Sequence, residues 1–85
     1  MVKKLLNKGF KPLTGIYYLA DAIEIKNKNP FESIGNIYMM LAEKYNVKLC
    51  TIERNIRTVI QISDTKYKKL SNNIAINTLL IEMKE

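Results

Sequence analysis

The stretch Asn36–Ser63, NIYMMLAEKYNVKLCTIERNIRTVIQIS, decides how this chain is read. Apolar residues recur at helical spacing on both sides of a short break, Asn46-Val47-Lys48-Leu49, so the stretch reads as helix, turn, helix. At about 100° per residue, Leu49, Ile52, Ile56, Val59, Ile60 and Ser63 fall on one side of the second helix. Cys50, Thr51, Arg54, Arg57, Thr58 and Gln61 fall on the other. The two arginines are the only ones in the protein, and they lie three residues apart on the polar face. A helix-turn-helix that reads the DNA major groove needs a small residue in its first helix, an apolar anchor in the turn and an apolar clamp in its second helix. Ala42, Val47, and Ile52 with Ile56 supply these in turn.

Working outward, 85 residues at 47% hydrophobic content suffice for one modest core and leave no room for a second. The expectation is one domain over residues 1–85. Fourteen Lys and Arg against eight Asp and Glu give a net charge of +6 and a pI near 9.5. Such an excess favours a polyanionic partner, nucleic acid before an anionic membrane surface. With a single cysteine and no histidine, neither an internal disulfide nor a paired metal-ligand spacing is available. No run approaches a membrane span and the N-terminus lacks a signal-peptide core, so a cytoplasmic protein is expected, with no cofactor and no small-molecule substrate.

Along the chain, Val2–Lys8 predicts a short helix closed by Gly9, with Leu5 and Leu6 inward and Phe10 and Leu13 pinning the loop that follows. Thr14 is the expected N-cap of a helix to about Asn27. Asn29-Pro30-Phe31-Glu32 has the form of a capping box and predicts the next helix start. Gly35 leaves open whether one helix or two follow. The second helix of the central pair is expected to begin at Cys50 or Thr51 and to run to Ser63. A polar, basic loop succeeds it. Ser71 or Asn72 then caps a last helix through Lys84, with Ile76, Leu79, Leu80 and Met83 on one face and Ile74 and Ile81 off it. The fold class is therefore all-α, a small bundle of about five helices containing a helix-turn-helix.

Three tracts carry a family resemblance: GIYYLADAIEI at 15–25, IYMMLAEKYN at 37–46 and TIERNIRTVIQ at 51–61. They resemble the C-terminal DNA-binding effector domain of the stage-zero sporulation protein A family. The opening LLNKGFKPL is similar more loosely, as is the tail SNNIAINTLLIEMK, so the likeness spans most of the chain. The resemblance implies an all-helical transcription regulator that binds double-stranded DNA at a box like TGTCGAA, often in tandem copies. It places Glu53, Arg54 and Arg57 at base- and phosphate-contacting positions. Thr51, Thr58 and Met39 stand where the family has arginine, histidine and proline, so the preferred sequence is expected to differ. If Met1 is the native start, no phosphoacceptor domain precedes this one and phosphorylation-controlled dimerisation is unavailable.

The candidate base-contacting residues are thus Glu53, Arg54, Arg57, Thr51 and Thr58. Arginine pairs bidentately with guanine, and glutamate accepts from the cytosine amino group. Candidate phosphate contacts are Lys48, Gln61, Lys66, Lys68 and Lys69. A homodimer on tandem or paired sites stays open. Two rival readings remain: a protein-interaction module on the same fold, acting as adaptor or inhibitor, and a DNA-processing accessory of a mobile element. Catalysis has no support, since there is no histidine, metal-ligand cluster or glycine-rich phosphate loop.

Overall fold

Each apolar stripe of the sequence finds its partner around one helix. The computed structural model describes residues 1–84, which fold into α1 (Val2–Asn7), α2 (Thr14–Lys28), α3 (Ile34–Tyr45), α4 (Leu49–Ile62) and α5 (Asn72–Met83), with no strand among them. α4 packs against α2, α3 and α5 at once. Its Ile52, Ile56, Val59 and Ile60 are fully buried, and they meet Ile16, Leu19 and Ile23 of α2, Ile37 and Leu41 of α3, and Ile76 and Leu79 of α5 in one core. Leu5 of α1 and the stacked pair Phe10 and Tyr67, ring centres 5.6 Å apart, close the end of that core.

The tightest approach is between α2 and α4. A Cβ on Gly15 would lie 2.0 Å from the Asn55 carbonyl oxygen and 3.2 Å from Val59 Cβ, so only glycine lets the two backbones meet there. Ala42, the small residue expected in the first helix of the central pair, lies on α3 and so belongs to a different crossing. Ala42 does pack on the core, but its other role is at the turn. Asn46 adopts the left-handed conformation, φ 53°, its N–H donates to the Glu43 carbonyl and that of Val47 to the Ala42 carbonyl. This paired pattern ends α3 and fixes the entry to α4 through Asn46, Val47 and Lys48.

Several local expectations need correction. α3 starts at Ile34, capped by Ser33, whose hydroxyl accepts from the Asn36 N–H at 3.1 Å. Asn29-Pro30-Phe31-Glu32 forms the preceding turn: the Asn29 side chain does meet Glu32, but its N–H closes α2 and its carbonyl takes the Glu32 N–H. Gly35 therefore stands in the first turn of a single helix and breaks nothing. Thr14 is the first helical residue behind Leu13 and makes no cap hydrogen bond. α4 begins at Leu49, ahead of Cys50 and Thr51. Leu6, Leu13 and Leu49 are exposed, because each sits at a helix end or in a loop where the neighbouring elements no longer cover it.

Candidate nucleic-acid interface

α4 positions the candidate base-contacting residues by virtue of being half core. With one side of the helix locked by Ile52, Ile56, Val59, Ile60 and the buried Ser63, the opposite side must face solvent. Ser63 is itself held, its Oγ accepting from the Lys11 N–H at 3.0 Å. Cys50, Arg54, Arg57 and Gln61 are all exposed and recur at i, i+4, i+7 and i+11, forming one stripe along the helix. Thr51, Glu53 and Thr58 are half-buried on its flanks.

Glu53 and Arg57 form an ion pair at 2.6 Å, one turn apart and largely open to water. Arg54 stands outside that pair, with no salt bridge among the described residues. The stripe thus offers one arginine free to fork onto a base or phosphate and one whose guanidinium is already oriented by a carboxylate.

Beside the stripe, α3, α4 and α5 enclose a cleft of about 320 Å³, lined among others by Tyr38, Glu53, Arg57, Gln61 and Asn72. Asn72, at the start of α5, donates from one amide nitrogen to the Tyr38 hydroxyl and to the Glu53 backbone carbonyl, each at 3.0 Å. Burial is the main cause holding the Tyr38 hydroxyl above its ordinary 10.0. The bond it accepts from Asn72 favours the ionised form and offsets part of that rise. A single side chain ties three helices together at the residue whose carboxylate holds Arg57. Sequence reading missed this junction. Asn72 is expected from the sequence only as a candidate cap, and no local pattern encodes a bond between positions so far apart.

The proposed phosphate contacts divide. Lys48 is exposed at the N-cap position of α4, and Lys68 and Lys69 are exposed in the connection to α5. Lys66 is different. Its ammonium lies 2.8 Å from Glu82, which also pairs with Lys8 at 3.7 Å and accepts from the Tyr67 hydroxyl. Glu82 is ten residues beyond Asn72 on α5, roughly 15 Å along the axis at 1.5 Å per residue. The structure thus ties Lys66 to the C-terminal end of α5 through Glu82.

Among the described residues no group of three or more His, Cys, Asp or Glu is placed to hold a metal ion, and no helix is long and apolar enough to cross a membrane. No curated protein and no solved structure matches the chain. A family model does, described as "Sporulation initiation factor Spo0A C terminal", over residues 3–83. That match takes in α2 to α5 whole and α1 but for Val2, including the stripe on α4 and the junction at Asn72, and the chain belongs to this family of DNA-binding domains.

Proposed function

We propose that α3, the connection Asn46–Lys48 and α4 act as a helix-turn-helix that sets α4 into the major groove of double-stranded DNA, with preference for a particular sequence, in a transcription regulator. The observation that carries this reading is the division of α4. One face buries Ile52, Ile56, Val59 and Ile60 completely in the core, and the other presents the chain's only two arginines in line with Cys50 and Gln61. A helix so anchored delivers its outward side chains at fixed spacing, as base readout requires.

In this reading Arg54 is the principal base contact, by a forked bond to guanine. Arg57, steered by Glu53, takes a second guanine or a phosphate, while Glu53 repels bases that present an acceptor at its position. Thr51 and Thr58 contribute short-range contacts from the flanks. Lys48, Gln61, Lys68 and Lys69 supply the contacts to the sugar-phosphate backbone that are independent of sequence. On duplexes with two boxes, two copies would bind side by side. The exposed Ile74 and Ile81 favour the rival reading of a protein-interaction surface.

Fluorescence anisotropy with a TGTCGAA-type box, its scramble and a random pool, each at low and near-physiological salt, tests the reading. Arg54→Ala should abolish the preference among duplexes, whereas Lys68→Ala should weaken binding to all alike. Equal loss on every duplex in Arg54→Ala would remove base readout. Indifference to DNA at moderate salt, with a stable complex to an acidic protein, would put the interaction module in its place.

A further inference from the structure

The turn at Asn46 and Val47 fixes where α4 starts relative to α3. Beyond the turn the two helices share an apolar core, and apolar contacts are non-directional, so alone they let one helix turn or slide on the other. Asn72 adds a directional link away from the turn. Tyr38 lies eight residues before Asn46, roughly 12 Å along α3, and Glu53 five residues after Lys48, roughly 7.5 Å along α4. From the start of α5, the amide nitrogen of Asn72 donates to the Tyr38 hydroxyl and to the Glu53 backbone carbonyl, each at 3.0 Å. A carbonyl only accepts, so the nitrogen end of that amide must face α4, and its two protons are both committed. The side chain is a strut between the two helices.

We propose that Asn72 is a positioning residue for base readout: by bridging Tyr38 and Glu53 it sets the angle of α4 on α3, and with it the aim of Arg54 and Arg57. Arg54 follows Glu53 directly and Arg57 stands one turn on, so a shift of α4 released at the Glu53 carbonyl moves both guanidinium groups. Base contacts tolerate little such movement, because the contacting groups must be held within about 0.5 Å of their productive geometry. The attraction of lysines to phosphates is far less exacting and survives it. Loss of the strut therefore removes preference among sequences and leaves general affinity for DNA. The inference rests on the reading of α4 as the DNA-contacting helix and adds a residue of α5 that acts through two others.

The test begins with selection of duplexes from a randomised pool by the wild-type chain. Anisotropy then compares the enriched duplex with its scramble for the wild type, Asn72→Ala, Tyr38→Phe and the double variant. Each is measured at a temperature where circular dichroism shows it fully folded. Leu5→Val, altered in the core beside α1, is the control for lost stability alone. In Asn72→Ala the preference should fall about tenfold, within what one forked base contact supplies, with affinity for the scramble unchanged. Tyr38→Phe should lose less, and the double variant no more than Asn72→Ala, since both changes cut one strut. Leu5→Val should keep the preference. The inference fails, with sequence-preferring binding intact, if Asn72→Ala keeps the preference, if it weakens both duplexes alike, if Leu5→Val loses as much, or if the losses in the double variant add. A pool that yields no enriched sequence overturns both.

Discussion

Adding one methyl group to Gly15 should destabilise the protein more than any other change of that size outside the buried side chains. The new Cβ would sit 2.0 Å from the Asn55 carbonyl oxygen and 2.7 Å from its carbonyl carbon, where real Cβ atoms keep at least 3.0 Å. Both atoms belong to the backbone of α4, so no rotamer change gives relief, and α2 must retreat by about 1 Å. Overpacking typically costs about 1–3 kcal/mol, and a contact between two backbones belongs at the top of that range. The helix-propensity gain of alanine over glycine, up to about 1 kcal/mol in a helix interior, offsets part of it. A net loss of about 2 kcal/mol corresponds to a melting temperature lower by about 8–16 °C in a domain of this size. Gly35→Ala is the matched control. It also lies in the first turn of a helix but has no heavy atom within 4 Å of the new Cβ, so the same substitution should raise the melting temperature by a few degrees. Thermal unfolding followed by circular dichroism separates the two. If Gly15→Ala melts with or above the wild type, α2 and α4 are not in backbone contact, and the packing of the reading helix described above is wrong.

Other outcomes follow from the polar contacts. Glu53→Gln should change stability by less than about 0.5 kcal/mol, since its pair with Arg57 is largely exposed; binding to all DNA should tighten and preference at one base pair should relax in an anisotropy assay. Asn72→Ala removes bonds to both Tyr38 and the Glu53 carbonyl, and should cost about 1–3 kcal/mol by chemical denaturation. The Tyr67–Glu82–Lys66 cluster bounds the pH range of stability on both sides. Hydrogen bonds from Lys66 and Tyr67 hold the Glu82 carboxyl below its ordinary 4.5, so its stabilisation is present above that pH and is lost as the pH falls through the lowered value. Burial and the bond to Glu82 push the Tyr67 hydroxyl up to about 12, so its stabilisation is complete below pH 10 and disappears between about 10 and 12. Melting curves of Glu82→Gln and Tyr67→Phe should be flatter than wild type in the acid and alkaline limbs respectively.

The sequence disclosed those parts of the molecule that depend on periodicity. Five helices, the buried face of α4 and the outward placement of Arg54 and Arg57 all follow from residues spaced by three and four, because a helix turns its own register into a surface. It was weaker wherever several local signals compete. Ser33 and Asn29 are both good N-caps four residues apart; the Ser33 hydroxyl takes the cap of α3, while the Asn29 N–H is spent on closing α2. What was not legible arises between elements. The contact of Gly15 with Asn55, the reach of Asn72 to Tyr38 and Glu53, and the capture of Lys66 by Glu82 join positions 16 to 40 residues apart. Lys66 and Lys68 look alike in sequence, yet among the described residues only Lys66 is engaged by a carboxylate.

The two faces of α4 also bear on how such a protein changes over generations. Ile52, Ile56, Val59 and Ile60 cannot vary without opening the core that α2, α3 and α5 share. Cys50, Arg54, Arg57 and Gln61 touch little of that core, so substitutions there leave folding nearly unaltered. In the proposed reading of α4, lineages carrying this scaffold acquire new operators through a few surface replacements on one helix. The fold persists as its target drifts.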